Sequence, residues 1–255
     1  MADAETLATK LKGWESGLKA EIAKNPAPWN SYDSTIKSVI ADYTTKLSST
    51  PHYSAPDWQL IKAMLWTESG AWNHAWTYAP MQAGMPRDKG LPDILPPNEH
   101  SKLILPPSYA TTLTLQNVPK NPTYNIMAGV GYLLKRAAKF KNVLVLDSTV
   151  PQLSLPPRTI GIQPLLESLG IKSAWSTIPF FNFGGGFSPA FLMQPAPGVA
   201  SHVATHTTSK HPAQPKKKLG IFDWRPIDSG SVAGLYNGGG DPNYTAKVKF
   251  ALTLM

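Results

Sequence analysis

Leu60-Ile-Lys-Ala-Met-Leu-Trp-Thr-Glu-Ser-Gly70 is the stretch on which the reading of this chain turns. Ile61 and Leu65 precede Glu68 by seven and three residues, a spacing that puts the Glu68 carboxylate on the apolar face of an amphipathic helix. Asp57 suits the N-cap of that helix and Gly70 its end, so Glu68 stands near the C-terminus, close to the loop that follows. A carboxyl drawn into apolar surroundings has its charged form disfavoured. Its pKa rises, and it becomes a proton donor near neutral pH. The plain alternative is a Glu that only looks inward on this spacing, because the helix rotates a little or ends early.

Outward from this segment, two further amphipathic helices open the chain. Leu7, Leu11, Trp14, Leu18 and Ile22 recur at steps of three and four, as do Ile36, Ile40, Tyr43 and Leu47, with Pro26 and Pro28 between the two sets. Residues 71–120 read as irregular and rich in Pro, and so long a connection in a compact domain points to function. A helix is expected from about Thr123 to Phe140. From about Lys141 to Asp228 the pattern fades: a short helix over Pro164–Leu169, a Phe-rich stretch at 180–191, then a polar, basic loop over Ser201–Lys218. The chain is expected to close with a helix over about Ser229–Tyr236, ended by Asn237-Gly-Gly-Gly240, and another with Asp241 as N-cap and Pro242 at its first position. There is no internal repeat.

Composition narrows the class. The 255 residues, 42% hydrophobic and 16% charged, fit one large domain or one domain with an elaborate insertion. No apolar run approaches the roughly 18 residues of a membrane span. Residues 1–20 carry Asp3, Glu5 and Glu15 with no apolar core, so no Sec signal is read there. Cysteine is absent, which removes disulfides and thiol chemistry and leaves the chain fit for an oxidising compartment. The net charge of +8 comes entirely from residues 134–255, where 13 Lys/Arg stand against 5 Asp/Glu. Such a half suits a polyanionic partner, and no nucleic-acid motif accompanies it.

Three motif pieces then fall in order. Glu68-Ser69-Gly70 ends a helix and is followed by Met81-Gln82 in a loop. Asn125-Ile126, Gly129 and Tyr132-Leu133 share a helix. Leu235-Tyr236-Asn237-Gly238-Gly239 closes a third. Taken together they resemble the catalytic domain of the soluble lytic transglycosylases, relatives of goose-type lysozyme. The likeness covers roughly residues 58–84, 121–140 and 230–250. Ala79-Pro80 stands where that family has Gly-Leu before Met-Gln, the Glu68–Gln82 spacing is shorter, and the gap from Leu133 to Tyr236 is far longer.

The resemblance implies a mainly α, lysozyme-like helical domain over residues 51–255, with a long irregular insertion at about 141–228. Residues 1–50 form an N-terminal helical pair packed on it. It implies cleavage of the β-1,4 bond between N-acetylmuramic acid and N-acetylglucosamine in peptidoglycan, giving 1,6-anhydromuramoyl ends. Glu68 is the implied acid and base, and Tyr236 the hydroxyl that orients it. Ser69, Met81, Gln82, Asn125 and Asn237 are the implied substrate-binding residues. Gly129 is read as a packing glycine, Tyr132 and Leu133 as core, and Asn125 equally well as a helix-start residue; Met81 suits a cleft wall better than chemistry.

No cofactor or metal is expected. His202, His206 and His211 include an i, i+4 pair, but Thr, Ser and Pro surround them, so they read as a solvated loop rather than a zinc site. Trp72, Trp76 and Tyr78 either stack on sugar or fill core.

Peptidoglycan glycan strands are the expected partner. A nucleic acid and a stable membrane anchor are not expected. Made in the cytoplasm without a Sec signal, such an enzyme would act in the periplasm or wall. The extra helices and insertion resemble secreted antibacterial effectors of the type VI kind, which implies a secretion-apparatus carrier and a cognate immunity protein. The rivals are a hydrolytic muramidase, with Asp88, Asp93 or Glu99 as second carboxylate, and a non-catalytic wall-binding module.

Overall fold

Capping and close packing decide where each element begins and ends. The computed structural model describes residues 4–86, 88, 90–145 and 216–255, which are mainly helical. Helices α1 (Ala4–Lys24) and α2 (Asp33–Leu47) open the chain, and α3 (Trp58–Glu68) follows. The Asp57 carboxylate accepts from the Gln59 backbone N–H at 2.9 Å, the expected cap of α3. Gly70, at φ 64°, ends it. A Cβ on Gly70 would stand 3.0 Å from the Trp72 ring, so this left-handed position suits only glycine.

The Pro-rich stretch is more ordered than its composition suggests. It contains α4 (Gly90–Ile94), α5 (Glu99–Ile104) and α6 (Pro107–Thr112), each a turn or so long. Asn98 caps α5 with its side chain, and Pro106–Pro107 starts α6. Helix α7 (Pro122–Ala137) has Asn121 as N-cap and Pro122 at its first position.

Helices α2, α3 and α7 supply the centre of the core. Ile36, Tyr43 and Leu47 of α2 meet Ile61, Met64 and Leu65 of α3 and Ile126, Val130, Leu133 and Leu134 of α7, all almost wholly buried. Each such side chain contributes on the order of 1.5–3 kcal/mol by leaving water. The Tyr43 hydroxyl reaches across to donate to the Met127 carbonyl at 2.8 Å. Thus α2 is a central element rather than an extension. By contrast α1 buries only Leu18 fully and lies against the last helix, α8 (Tyr244–Leu252).

Two expectations need correction. The α7 helix stops at Ala137, not Phe140, because Ala138 turns extended (ψ 139°) and starts a β-strand. That strand, β1 (Ala138–Val145), pairs antiparallel with β2 (Lys216–Trp224), so Lys216–Lys218 lie in a strand rather than in a loop. The ribbon is anchored at its base: Phe140, Ile221 and Trp224 pack on the core, and the Arg225 N–H donates to the Ala137 carbonyl at 2.8 Å. What reads as an irregular insertion from 141 to 228 therefore begins and ends in ordered β-structure. The expectations for Pro164–Leu169, the Phe-rich 180–191 stretch and His202, His206 and His211 lie outside the described residues.

The chain's end differs as well. The helix expected at about Ser229–Tyr236 is a short π-helix, Ala233–Asn237, and Gly238 closes it at φ 61°. Helix α8 starts at Tyr244, since the Asp241 carboxylate accepts from the Asn243 N–H and shapes a turn ahead of it. Among the described residues no helix is long and apolar enough to cross a membrane.

Candidate active site

Glu68 ends α3 at the wall of a pocket that also touches Gln82, Asp88, Tyr132, Tyr236 and Asn237. The residue is half-buried and borders the pocket. Helix α8 runs along α3 and brings Tyr244 to it. The Tyr244 hydroxyl donates to Glu68 Oε1 at 2.8 Å. Burial pushes the Glu68 carboxyl up from 4.5 to about 7, and the charges of Asp241 and Asp88 push the same way. The Tyr244 hydrogen bond and the Lys247 ammonium oppose them. A group so placed exchanges its proton at neutral pH, which is what a combined acid and base requires. Burial and the nearby Glu68 carboxylate raise the Tyr244 phenol well above its ordinary value, so it remains a donor.

The loop that faces Glu68 is fixed residue by residue. Ser69 Oγ donates to the Pro80 carbonyl at 2.9 Å. The Met81 N–H donates to Asn125 Oδ1 at 2.8 Å, and the Met81 carbonyl accepts from the Tyr236 hydroxyl at 2.7 Å. The Gln82 side-chain amide donates to the Glu68 backbone carbonyl. Asn125 Nδ2 donates to the Ala83 carbonyl at 2.8 Å and to the Val118 carbonyl at 3.2 Å. Asp88 accepts from the backbone N–H groups of Gly84 and Gly90, each at 2.6 Å, and of Leu91 at 3.2 Å.

These ties hold Gln82 at φ 55°. That left-handed backbone costs an L-residue roughly 1–2 kcal/mol. Gly129 of α7 makes room for the loop, since a Cβ there would lie 2.5 Å from Met81 Sδ.

The sequence-predicted residues therefore meet, but several do different work from that expected. Asn125 is fully buried with its side-chain oxygen and nitrogen both engaged, so it cannot touch a sugar; it is a clamp for the loop. Ser69 is likewise buried on Pro80 and is no substrate contact. Tyr236 lines the pocket, edge-on to Tyr132 with ring centroids 5.8 Å apart, but its hydroxyl holds Met81 rather than Glu68. The orienting hydroxyl is that of Tyr244. Met81 is nearly all buried and forms pocket floor, while Gln82 and Asn237 are half-buried and face the pocket.

Sequence reasoning missed Tyr244, whose partner stands 176 residues away and whose own neighbourhood reads only as a helix start. It also took Tyr132 for core, although the ring borders the pocket. Of the three alternative second carboxylates, Asp88 alone lines the pocket. Asp93 pairs with Lys135 at 2.6 Å, and Glu99 is exposed on the first turn of α5. Trp72, Trp76 and Tyr78 line no part of it. Trp76 is core, and Trp72 stands edge-on to Trp14 and Trp29.

No protein-family model matches the chain, nor does any curated protein or solved structure.

Proposed function

We propose that the chain is a peptidoglycan lytic transglycosylase that cleaves between N-acetylmuramic acid and N-acetylglucosamine. What carries the reading is the Glu68 carboxyl: set in a pocket wall, held by Tyr244, with a pKa near 7. Paired-carboxylate glycosidases divide the work between an acid and a nucleophile or base. Here the substrate supplies the nucleophile. Glu68 gives its proton to the glycosidic oxygen as the bond to muramoyl C1 breaks and the N-acetylglucosamine leaves with a free hydroxyl. The carboxylate so formed then takes the proton of the muramoyl C6 hydroxyl as that oxygen closes on C1. The product is a 1,6-anhydro end, and Glu68 is returned protonated. Gln82 and Asn237 are the side chains available to grip the flanking sugars, and Tyr132 and Tyr236 offer ring surface to them.

Asp88 favours a second reading. Its carboxylate borders the same pocket, so a water activated there would convert the reaction to hydrolysis with reducing muramoyl ends. A non-catalytic wall-binding module is the third possibility, and Glu68→Gln separates it from both enzymes. The amide keeps the shape but cannot recycle a proton, so clearing of purified sacculi should fall by about 10²-fold or more. Unchanged clearing would refute both catalytic readings. As to setting, we propose a secreted antibacterial effector with a carrier and an immunity protein. The protein should be harmless in a bacterial cytoplasm and lytic when directed to the periplasm. Toxicity confined to the cytoplasm would overturn that assignment.

A further inference from the structure

Tyr244 and Lys247 stand three residues apart on α8, and Asp241 lies in the turn just ahead of that helix. Tyr244 donates to Glu68 at 2.8 Å. The other two pair with each other, Lys247 Nζ lying 2.7 Å from Asp241 Oδ2. Both are largely shielded, with about a fifth and a third of their side chains exposed. The pair is held from both sides. The Asn243 N–H donates to Asp241 Oδ1 at 2.9 Å, and the Trp14 ring of α1 lies under the Lys247 ammonium, 5.6 Å from it.

We propose that Asp241 and Lys247 are a charge couple that positions and tunes the Glu68 proton site, with α1 supporting the cation through Trp14. The inference deepens the reading of Glu68 as the acid, and it assigns a task to the N-terminal helix. Its logic is partial electrostatic cancellation. While the pair is intact, Glu68 feels two charges of opposite sign, and the Lys247 ammonium offsets part of the effect of the Asp241 carboxylate. Removing either partner leaves the other uncompensated in a poorly solvated place, where charges act strongly.

The other groups facing Glu68 stay constant through such a test: Tyr244 on α8, Asp88 from the loop before α4, and Tyr236 from the π-helix, with Tyr132 of α7 edge-on to it. The directions in which Asp241 and Lys247 act on Glu68, up and down respectively, agree with the couple.

The test is a carbon-13 NMR titration of the Glu68 carboxyl, its signal assigned by its loss in Glu68→Gln. Asp241→Asn leaves Lys247 unopposed and should lower the Glu68 midpoint by about 0.5 pH or more. Lys247→Met leaves Asp241 unopposed and should raise it by a similar amount. The double variant, which keeps the same net charge, should fall between the two single variants and guards against a change caused by misfolding of either single variant. Midpoints that stay put, or that move the same way in both single variants, would overturn the couple. The titration needs no turnover. If the midpoints move in opposite directions while wild type leaves sacculi intact, the couple stands and the transglycosylase reading falls. If wild type clears sacculi, the alkaline limb of its pH profile should move with the midpoints.

Discussion

Removing the Glu68 charge should make the protein more stable, but only where that charge exists. The carboxyl titrates near 7 in the folded chain and near 4.5 when solvated. Between these values the folded state keeps a proton that the unfolded chain has released, so stability falls as pH rises through that window and is level above it. At about 1.4 kcal/mol for each tenfold change in proton affinity, the full cost above pH 7 is on the order of 3 kcal/mol. Part of the residue faces the pocket and is solvated, so about 1–3 kcal/mol is the range to expect.

Glu68→Gln keeps the volume and still accepts from Tyr244, so it relieves this cost without opening a cavity. In urea melts the variant should exceed wild type by that amount at about pH 8.5 and match it at about pH 4, below both midpoints. A variant that is equally or less stable than wild type at both pH values would show that Glu68 is an ordinary solvated carboxylate. The acid–base reasoning would then fail at its root, whatever the activity.

Tyr244→Phe removes the donor that favours the charged form of Glu68, so the Glu68 midpoint should rise above its present value near 7, seen in the same carbon-13 titration. Turnover at neutral pH should fall roughly tenfold, the scale of a hydrogen bond to a charged group; Tyr236→Phe, which loses a bond to Met81, should lower the melting temperature more than it moves the midpoint. Asn125→Ala leaves the Met81 N–H and the Ala83 and Val118 carbonyls unpartnered in the interior. It should cost about 2–4 kcal/mol in chemical denaturation, and a cost below about 0.5 kcal/mol would mean that water replaces the clamp.

How much of this was legible depended on the range of the contacts. The α3 helix could be read because its signals are local: Asp57 caps it, Gly70 stops it, and the apolar spacing turns Glu68 inward. Residues from all three motif pieces meet around one pocket. What they touch could not be read where the bond spans a long stretch of chain, as from Asn125 to Met81 or Tyr236 to Met81. The resemblance implied sugar contacts for Ser69 and Asn125, whereas burial and their hydrogen bonds tie both to the loop backbone. Tyr244 carried no local signal at all. The ribbon was hidden for a different reason: Lys139, Lys141 and Lys216–Lys218 mask the alternation of Phe140, Leu219 and Ile221, and pairing partners lie some 70 residues or more apart.

Mass spectrometry of the muropeptides released from purified sacculi bears most directly on the proposed chemistry. Wild-type protein should release fragments ending in 1,6-anhydro-N-acetylmuramic acid, and Glu68→Gln should release none. Fragments with reducing muramoyl ends would replace the transglycosylase by a hydrolase and turn attention to Asp88. No release from wild type would contradict an enzyme acting on this bond.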